Sequence, residues 1–251
     1  MTAAPNRADV SAALATLLLK LRARDVVGEN EEAQLHAAVS EIRTHPGGKT
    51  VVAARTPLSH STLLVEGIMA RYKDLADGQR QIMELHVAGD FVDLHGFLLK
   101  RIDHHVGSMT PVKVALVPHD ALRKITETHP HLTRMLWFST LLDAAIHREK
   151  ILSVGRRSAV SRLAHILCEM FVRLKVIGLA RDDGYDLPLT QGDLADATGL
   201  TSVHVNRMLK KLRDEGLLTF RGGAVTIGDW DRLVRVAEFD PTYLHLERQS
   251  R

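Results

Sequence analysis

The chain has 251 residues, of which 45% are apolar and 25% are charged, and its formal net charge is +3. This length predicts one large or two ordinary domains, and the apolar content is sufficient for a packed core. The single cysteine, Cys168, excludes an intrachain disulfide. No apolar run has membrane-spanning length and no signal pattern opens the chain, so we expect a cytoplasmic protein without a membrane partner.

Two amphipathic helices are predicted in the first part of the chain, after a loose tail over residues 1–8. The first covers residues 10–24 and carries leucines at helical spacing, at positions 14, 17, 18 and 21. The second covers residues 30–42 and is ended by the turn Pro46-Gly47-Gly48.

Short β-type runs fill the segment from residue 50 to residue 117. They cover residues 50–54, 61–65, 68–72, 80–87 and 112–117, and turns that contain Gly or Asp separate them. Several short strands of this kind predict a β-sandwich or jelly roll. Such a roll has room inside for one small ligand.

A long helix follows a short one over residues 119–127. Pro130 opens it and Gly155 breaks it. Its apolar residues fall on alternating a and d heptad positions, at Met135, Phe138, Leu142, Ala145 and Leu152, although Glu149 interrupts at an a position. This stripe favours a dimer seam over a lone surface helix. Ser158 then caps an apolar helix over residues 159–176.

Two capped helices joined by a glycine turn are predicted over residues 190–213. Thr190 is an N-cap, and Asp193 completes a capping box. Gly199 suits the left-handed turn, and Thr201 caps the second helix. Val203 and Val205 enter that helix, its buried stripe is Met208, Leu209 and Leu212, and its other face carries His204, Arg207, Lys210, Lys211 and Arg213. A basic second helix in this arrangement is typical of a DNA-binding helix-turn-helix.

A β-hairpin is predicted directly after these helices. Residues 217–221 and 224–227 form its strands, and Gly222-Gly223 forms its turn. A hairpin in this position is typical of the winged form of the fold. The hairpin therefore favours a DNA-binding unit over the alternative, in which the two helices are an ordinary surface pair.

The order of roll, long helix and winged helix-turn-helix resembles the Crp/Fnr family of bacterial transcription regulators. Gly89-Asp90-Phe91 followed by Gly96 is similar to a segment of the family's sensor roll, and residues 114–118 resemble the strand that closes it. Residues 189–195 and 199–201, with Val205, Arg207 and Leu209, resemble its helix-turn-helix.

The resemblance implies an α+β protein that acts as a homodimeric, sequence-specific regulator on a palindromic double-stranded DNA site, and not as an enzyme. It implies a jelly-roll sensor domain with its N-terminal helices over residues 1–129, a dimerisation helix over 130–154, and a winged helix-turn-helix domain over 155–251. RNA polymerase is a further partner if the chain is an activator.

The DNA contacts implied by the resemblance lie on the second helix and near the helix ends. Arg207 matches the family's guanine-reading arginine, and Asn206 suits an adenine edge. Val203 stands where most members have an acid and can touch only a thymine methyl group. The expected base contacts are Ser202, Val203, His204, Asn206 and Arg207; the expected phosphate contacts are Thr190, Thr201, Lys210, Lys211 and Arg221.

The matching sensor segment departs from the family's cyclic-nucleotide pattern. Leu94 replaces the acid that accepts from the ribose, and no Arg-Ser pair follows to hold the phosphate. We therefore do not expect cyclic AMP, and one cysteine cannot supply the thiolates of an iron–sulfur cluster, normally four. The effector, if one exists, stays unknown, and haem stays open. The expected pocket residues are Gly89, Asp90, Phe91, Leu94, Gly96 and Arg101.

Two alternatives remain. The first is a cyclic-nucleotide-responsive regulator in which another residue reaches the phosphate. The second is a cupin-like, metal-dependent enzyme built on the roll. The roll region holds His86, His95, His104 and His105, but no HxH or HExxH spacing occurs among them, so we expect no metal ligands and no catalytic residues.

Overall fold

The protein is described here by a computed structural model that covers residues 5–250. The described chain divides into two compact units. Unit one contains residues 5–72, 85–144 and 246–250, and unit two contains residues 73–84 and 145–245.

Two helices open unit one. Helix α1 (Arg7–Arg22) begins after Asn6, whose side chain accepts from the backbone N–H of Asp9. The loose tail was therefore predicted too long, and its residues 1–4 lie outside the described part of the chain. Helix α2 (Glu29–Ala38) ends earlier than predicted. Residues 41 and 42 were predicted to be helical, but residues 41–45 form a strand that pairs along its whole length with residues 112–116.

The predicted roll is confirmed as two antiparallel sheets. In spatial order, the first holds β1 (Glu41–His45), β7 (Val112–Pro118) and β3 (His60–Glu66); the second holds β2 (Lys49–Val52), β6 (His105–Ser108), β4 (Met69–Asp74) and β5 (Arg80–His86). The sequence pattern did not predict strands β1 and β6. Two helices follow strands of the roll, α3 (Gly96–Leu99) and α4 (His119–Thr128).

Two apolar clusters hold unit one together. One fills the roll and includes Leu64, Met69, Val106 and Val114. The other joins the leucines of α1 to Phe91, Leu94, Val117 and neighbouring residues. Each fully buried leucine of α1 contributes about 1.5–3 kcal/mol relative to an exposed one. Helix α1 is therefore part of the core of this unit.

The long helix α5 runs from Pro130 to Arg156. It continues through Gly155, so its predicted end came slightly too early. Helix α6 (Ala159–Val176) begins after Ser158, whose hydroxyl accepts from the backbone N–H of Ser161, as predicted.

Unit two contains the predicted winged helix-turn-helix. Its elements are β8 (Ala180–Arg181), β9 (Gly184–Asp186), α7 (Gln191–Thr198), α8 (Ser202–Asp214), β10 (Leu218–Arg221), β11 (Ala224–Ile227), α9 (Trp230–Ala237) and a 3-10 helix (Pro241–Leu244). The strands form one sheet in the order β10-β11-β9-β8. Helix α9 and the 3-10 helix were not predicted.

Candidate nucleic-acid interface

Local hydrogen bonds fix both ends of helix α7. The backbone N–H of Asp193 donates to Thr190 Oγ1 at 3.1 Å, and that of Thr190 donates to Asp193 Oδ2 at 2.9 Å. This is the predicted capping box. Gly199 then adopts φ +64°, a left-handed conformation that costs glycine little. Thr201 caps α8 by accepting from the backbone N–H of His204 at 3.2 Å.

Buried apolar residues hold α7 and α8 in place. The buried set is Leu194, Ala195, Ala197, Val205, Leu209 and Leu212. Met208, which was predicted to belong to the buried stripe of α8, is only partly buried. Val203, an expected base contact, is 79% exposed. The outer face of α8 therefore begins with an exposed valine.

All five expected base contacts are exposed on α8. They are Ser202, Val203, His204, Asn206 and Arg207. Residues 203, 206, 207 and 210 share one face because they recur at spacings of three and four. Within residues 5–250, no ion pair or hydrogen bond engages the Arg207 guanidinium. Its five N–H donors are therefore available to a ligand.

The expected phosphate contacts are exposed as well, but one of them, Thr190, already has a hydrogen-bond partner. Thr190 donates both its backbone N–H and its hydroxyl to the Asp193 carboxylate, at 2.9 and 2.7 Å. A phosphate approaching Thr190 would also meet that negative charge, so this geometry disfavours a phosphate contact at Thr190. Thr201, Lys210, Lys211 and Arg221 remain, and Arg221 ends the first strand of the wing.

Three contacts around α7 were not foreseen from the sequence. Asn206 Nδ2 on α8 donates to Gln191 Oε1 at 3.2 Å. Arg80 Nε lies 2.9 Å from Asp196 Oδ2, and Arg162 donates to the carbonyl of Thr198 at 2.8 Å. Each joins residues distant in sequence, so no local pattern could have revealed it.

The residues expected to form an effector pocket already have partners within the fold. A Cβ on Gly89 would lie 2.8 Å from the Thr16 carbonyl of α1, and Asp90 pairs with Lys20 of the same helix. Phe91 and Leu94 belong to the core cluster around α1.

The last two expected pocket residues contact the loop before β3. A Cβ on Gly96 would lie 2.6 Å from the Leu58 side chain, and Arg101 donates to the carbonyl of Arg55. The pocket stays a prediction, and packing alone accounts for these residues.

The expected dimer seam on α5 needs correction. Met135 and Ala145 are buried, at 2% and 3% exposure, so a partner cannot reach them. Phe138 and Leu142 are half-buried, and of the set only Leu152 is exposed, at 48%. The apolar residues that α5 does expose are Trp137, Leu141, Ile151, Leu152 and Val154. Glu149, which had interrupted the heptads, instead pairs with Arg157.

Burial shifts the pKa of several groups, among them Asp93 and Cys168. Burial raises the pKa of Asp93 to about 6, even though hydrogen bonds from Thr62 favour its charged form. Burial also raises the pKa of the Cys168 thiol well above its ordinary value, so this cysteine stays protonated.

The described residues lack two other kinds of site. Among residues 5–250, no three His, Cys, Asp or Glu side chains lie close enough together to hold a metal ion. In the same part of the chain, no helix combines the length and apolar character needed to span a membrane.

Two family models match the sequence. Residues 42–129 match the cyclic nucleotide-binding domain, and residues 161–236 match the Crp-like helix-turn-helix domain. The two matches fall on the roll and on the winged helix-turn-helix respectively.

Known proteins resemble the chain over most of its length. It is 28% identical to the transcriptional activator protein FnrL of Cereibacter sphaeroides, over 84% of this chain and 86% of FnrL. It is 29% identical to the nitrogen fixation regulation protein FixK of Bradyrhizobium diazoefficiens, over 76% and 79% of the two chains. The solved structure of FixK2 from Bradyrhizobium japonicum is 25% identical, with a TM-score of 0.69 over 78% of this chain and 96% of FixK2.

Proposed function

We propose that this chain, which belongs to the Crp/Fnr family of DNA-binding transcription regulators, acts as a homodimer on a two-fold symmetric DNA site. Each protomer inserts α8 into a major groove. The two half-sites lie about 34 Å apart along the duplex, one helical turn from centre to centre.

The observation that carries this proposal is the outer face of α8. It is fully exposed and presents the Arg207 guanidinium, which has no partner within residues 5–250, next to Lys210. A helix that is capped at its N-terminus, is held by a buried inner face and exposes an unpaired planar cation is suited to reading guanine O6 and N7.

The other side chains on α8 take the roles that their chemistry allows. Asn206 reads an adenine edge, and the exposed Val203 touches a thymine methyl group. Lys210 and Lys211 contact phosphates, together with Thr201 at the helix N-terminus and Arg221 of the wing. These contacts orient the protein without specifying sequence.

The exposed apolar side of α5 forms the dimer seam in this proposal. Trp137, Leu141 and Ile151 fit one heptad stripe, because 137, 141, 144, 148 and 151 are spaced alternately by four and three. The two positions between Leu141 and Ile151 hold Ala144 and the exposed Arg148. Large exposed apolar residues that recur along one side of a helix mark a surface that a partner covers. The seam therefore lies beside the one first expected, on the same helix.

We further propose that cyclic AMP is not the effector. A cyclic phosphate buried in a roll needs a cation and N–H donors. Leu94 is buried in the core cluster, and Arg101 donates to the Arg55 carbonyl. Asp103 is exposed and adds a negative charge to the same loop. Any effector is a less anionic or a larger molecule, and RNA polymerase is a partner if the regulator activates.

Light scattering on the full chain, free and mixed with DNA, tests the proposal. The free protein should have twice the mass of one chain, and the complex should contain two chains and one duplex. A mass of one chain in both states would exclude the homodimer.

A further inference from the structure

We propose that Gln191 is a positioning residue for base recognition, which fixes the side-chain amide of Asn206 in the orientation that reads adenine. The proposal rests on the proposed function, because it takes α8 as the helix that contacts bases. It adds a specificity role for a residue of α7 that lies outside the reading helix.

The two residues meet across the helix-turn-helix. Gln191 is the first residue of α7, and Asn206 lies in the second turn of α8. Asn206 Nδ2 donates to Gln191 Oε1 at 3.2 Å. They lie fifteen positions apart in sequence, so their contact depends on the turn at Gly199, where φ is +64°.

Packing holds the pair in register. Leu194 and Ala195 of α7 are buried, as are Val205 and Leu209 of α8. Val205 directly precedes Asn206, so the backbone that carries the asparagine is anchored from below. The Thr190–Asp193 capping box fixes the backbone at Gln191 in the same way. Both amides are therefore carried by backbone segments that capping and packing hold in place.

The chemistry of the two amides explains what the contact does. An asparagine amide has one acceptor oxygen and two N–H donors. The adenine edge in the major groove needs one acceptor, for N6–H, and one donor, for N7. Gln191 takes the remaining N–H of Asn206 and leaves one acceptor and one donor facing outward. An amide turned over by half a rotation would bring its oxygen against Gln191 Oε1, so the contact could persist only if the Gln191 amide turned over as well.

Binding of the full-length chain to four duplexes tests the proposal. The duplexes carry the preferred site and differ only at the base pair whose preference Asn206→Ala removes. We expect wild type to favour adenine there by about 5- to 150-fold. Gln191→Ala should reduce this ratio by about 3- to 10-fold, the effect of one hydrogen bond. In the Asn206→Ala background, Gln191→Ala should leave the ratio unchanged.

Two further variants separate positioning from other roles. Gln191→Glu keeps an acceptor for Asn206 but adds a charge that repels phosphates, so it should weaken all four duplexes alike and keep the ratio. Gly192→Ala is the matched control in the same helical turn. Its new Cβ would lie 3.4 Å from Thr190 Oγ1, an ordinary contact, so it should change neither the affinity nor the ratio.

The outcomes distinguish this inference from the proposed function. If Gln191→Ala weakens all four duplexes equally, Gln191 is a phosphate contact and the inference is overturned. If Asn206→Ala removes no base preference at any position, the adenine role of Asn206 fails and the inference fails with it. If the wild-type chain binds no duplex, the proposed function itself is wrong.

Discussion

Lys20 of helix α1 lies 2.5 Å from the carboxylate of Asp90, and both side chains are less than one-fifth exposed. Asp90 also accepts from the backbone N–H of Val87 at 2.9 Å. The ion pair ties the segment Gly89-Asp90-Phe91, which the resemblance had assigned to a sensor pocket, to the N-terminal helix. Because this charge pair is largely sheltered from water, we expect it to stabilise the fold measurably.

Lys20→Met should lower the free energy of unfolding by about 1–3 kcal/mol, because it leaves a largely buried carboxylate without its cation. Urea denaturation measures this value. The matched control is Arg22→Met on the same helix, whose pair with Glu32 is exposed and should contribute less than about 1 kcal/mol. Equal losses in the two variants would mean that burial of the Lys20 pair has no energetic consequence.

Asp93 should make stability fall as the pH rises from about 4 to 6. Its pKa is raised from 3.8 to about 6 in the folded chain, so between those values the folded state holds a proton that the unfolded state has lost. Its stabilising contribution is complete below pH 3.8 and is lost above pH 6.

The Asp93→Asn variant removes this titration. The free energy of unfolding of wild type, minus that of the variant, should therefore fall by on the order of 3 kcal/mol as the pH rises from about 4 to 6. The other titrating groups contribute equally to both proteins and cancel in this difference. Urea denaturation at several pH values measures it. A difference that stays constant with pH would show that Asp93 is ionised throughout.

Arg207→Ala and Lys210→Ala should affect DNA binding in different ways. Loss of a bidentate guanine contact should cost about 1–3 kcal/mol on the preferred site and little on random DNA. Loss of a phosphate contact should weaken both DNAs alike and reduce the salt dependence of binding by about one unit of slope. Titrations on both DNAs at several salt concentrations measure these effects. Identical behaviour of the two variants would refute the assigned roles.

Trp137→Glu should convert the homodimer into a monomer, because it places a charge on the exposed apolar side of α5. Met135→Ala is the contrasting variant two residues away. It should lower the free energy of unfolding by about 2–5 kcal/mol, because Met135 is buried, yet leave the dimer mass unchanged. Light scattering and urea denaturation read the two effects separately. A monomeric Met135→Ala variant that remains folded would restore the seam first expected from the heptads.

Cyclic AMP should give no saturable heat of binding in titration calorimetry with the full chain, and it should not tighten DNA binding. The physical reason is the lack of a phosphate clamp beside the buried Leu94. Saturable binding that also strengthens DNA association would show that Arg101 or His104 reaches the phosphate.

The sequence predicted those parts of the fold that short-range chemistry determines. The caps at Thr190, Thr201 and Ser158 lie where predicted, as does the left-handed Gly199, because each depends on residues within one helical turn. The roll was predicted as a class, but β1 was missed. The alternation of polar and apolar residues over positions 41–45 is too weak to predict a strand. Their pairing with β7 determines their conformation.

Long-range contacts explain the errors in the site. Helix α5 has apolar residues on more than one side, and the sequence does not tell which side faces the core of its own chain. Met135 lies in the core, and Trp137 lies on the exposed side of the helix. The contact of Gln191 with Asn206 is equally invisible in the sequence, because it arises only when α7 and α8 pack together.

Selection of duplexes from a fully randomised DNA pool by the full-length chain tests the central claim most directly. The account predicts an enriched inverted repeat, with guanine and adenine read in each half-site and half-site centres about one helical turn apart. An enriched sequence without two-fold symmetry, or no enrichment at all, would contradict it.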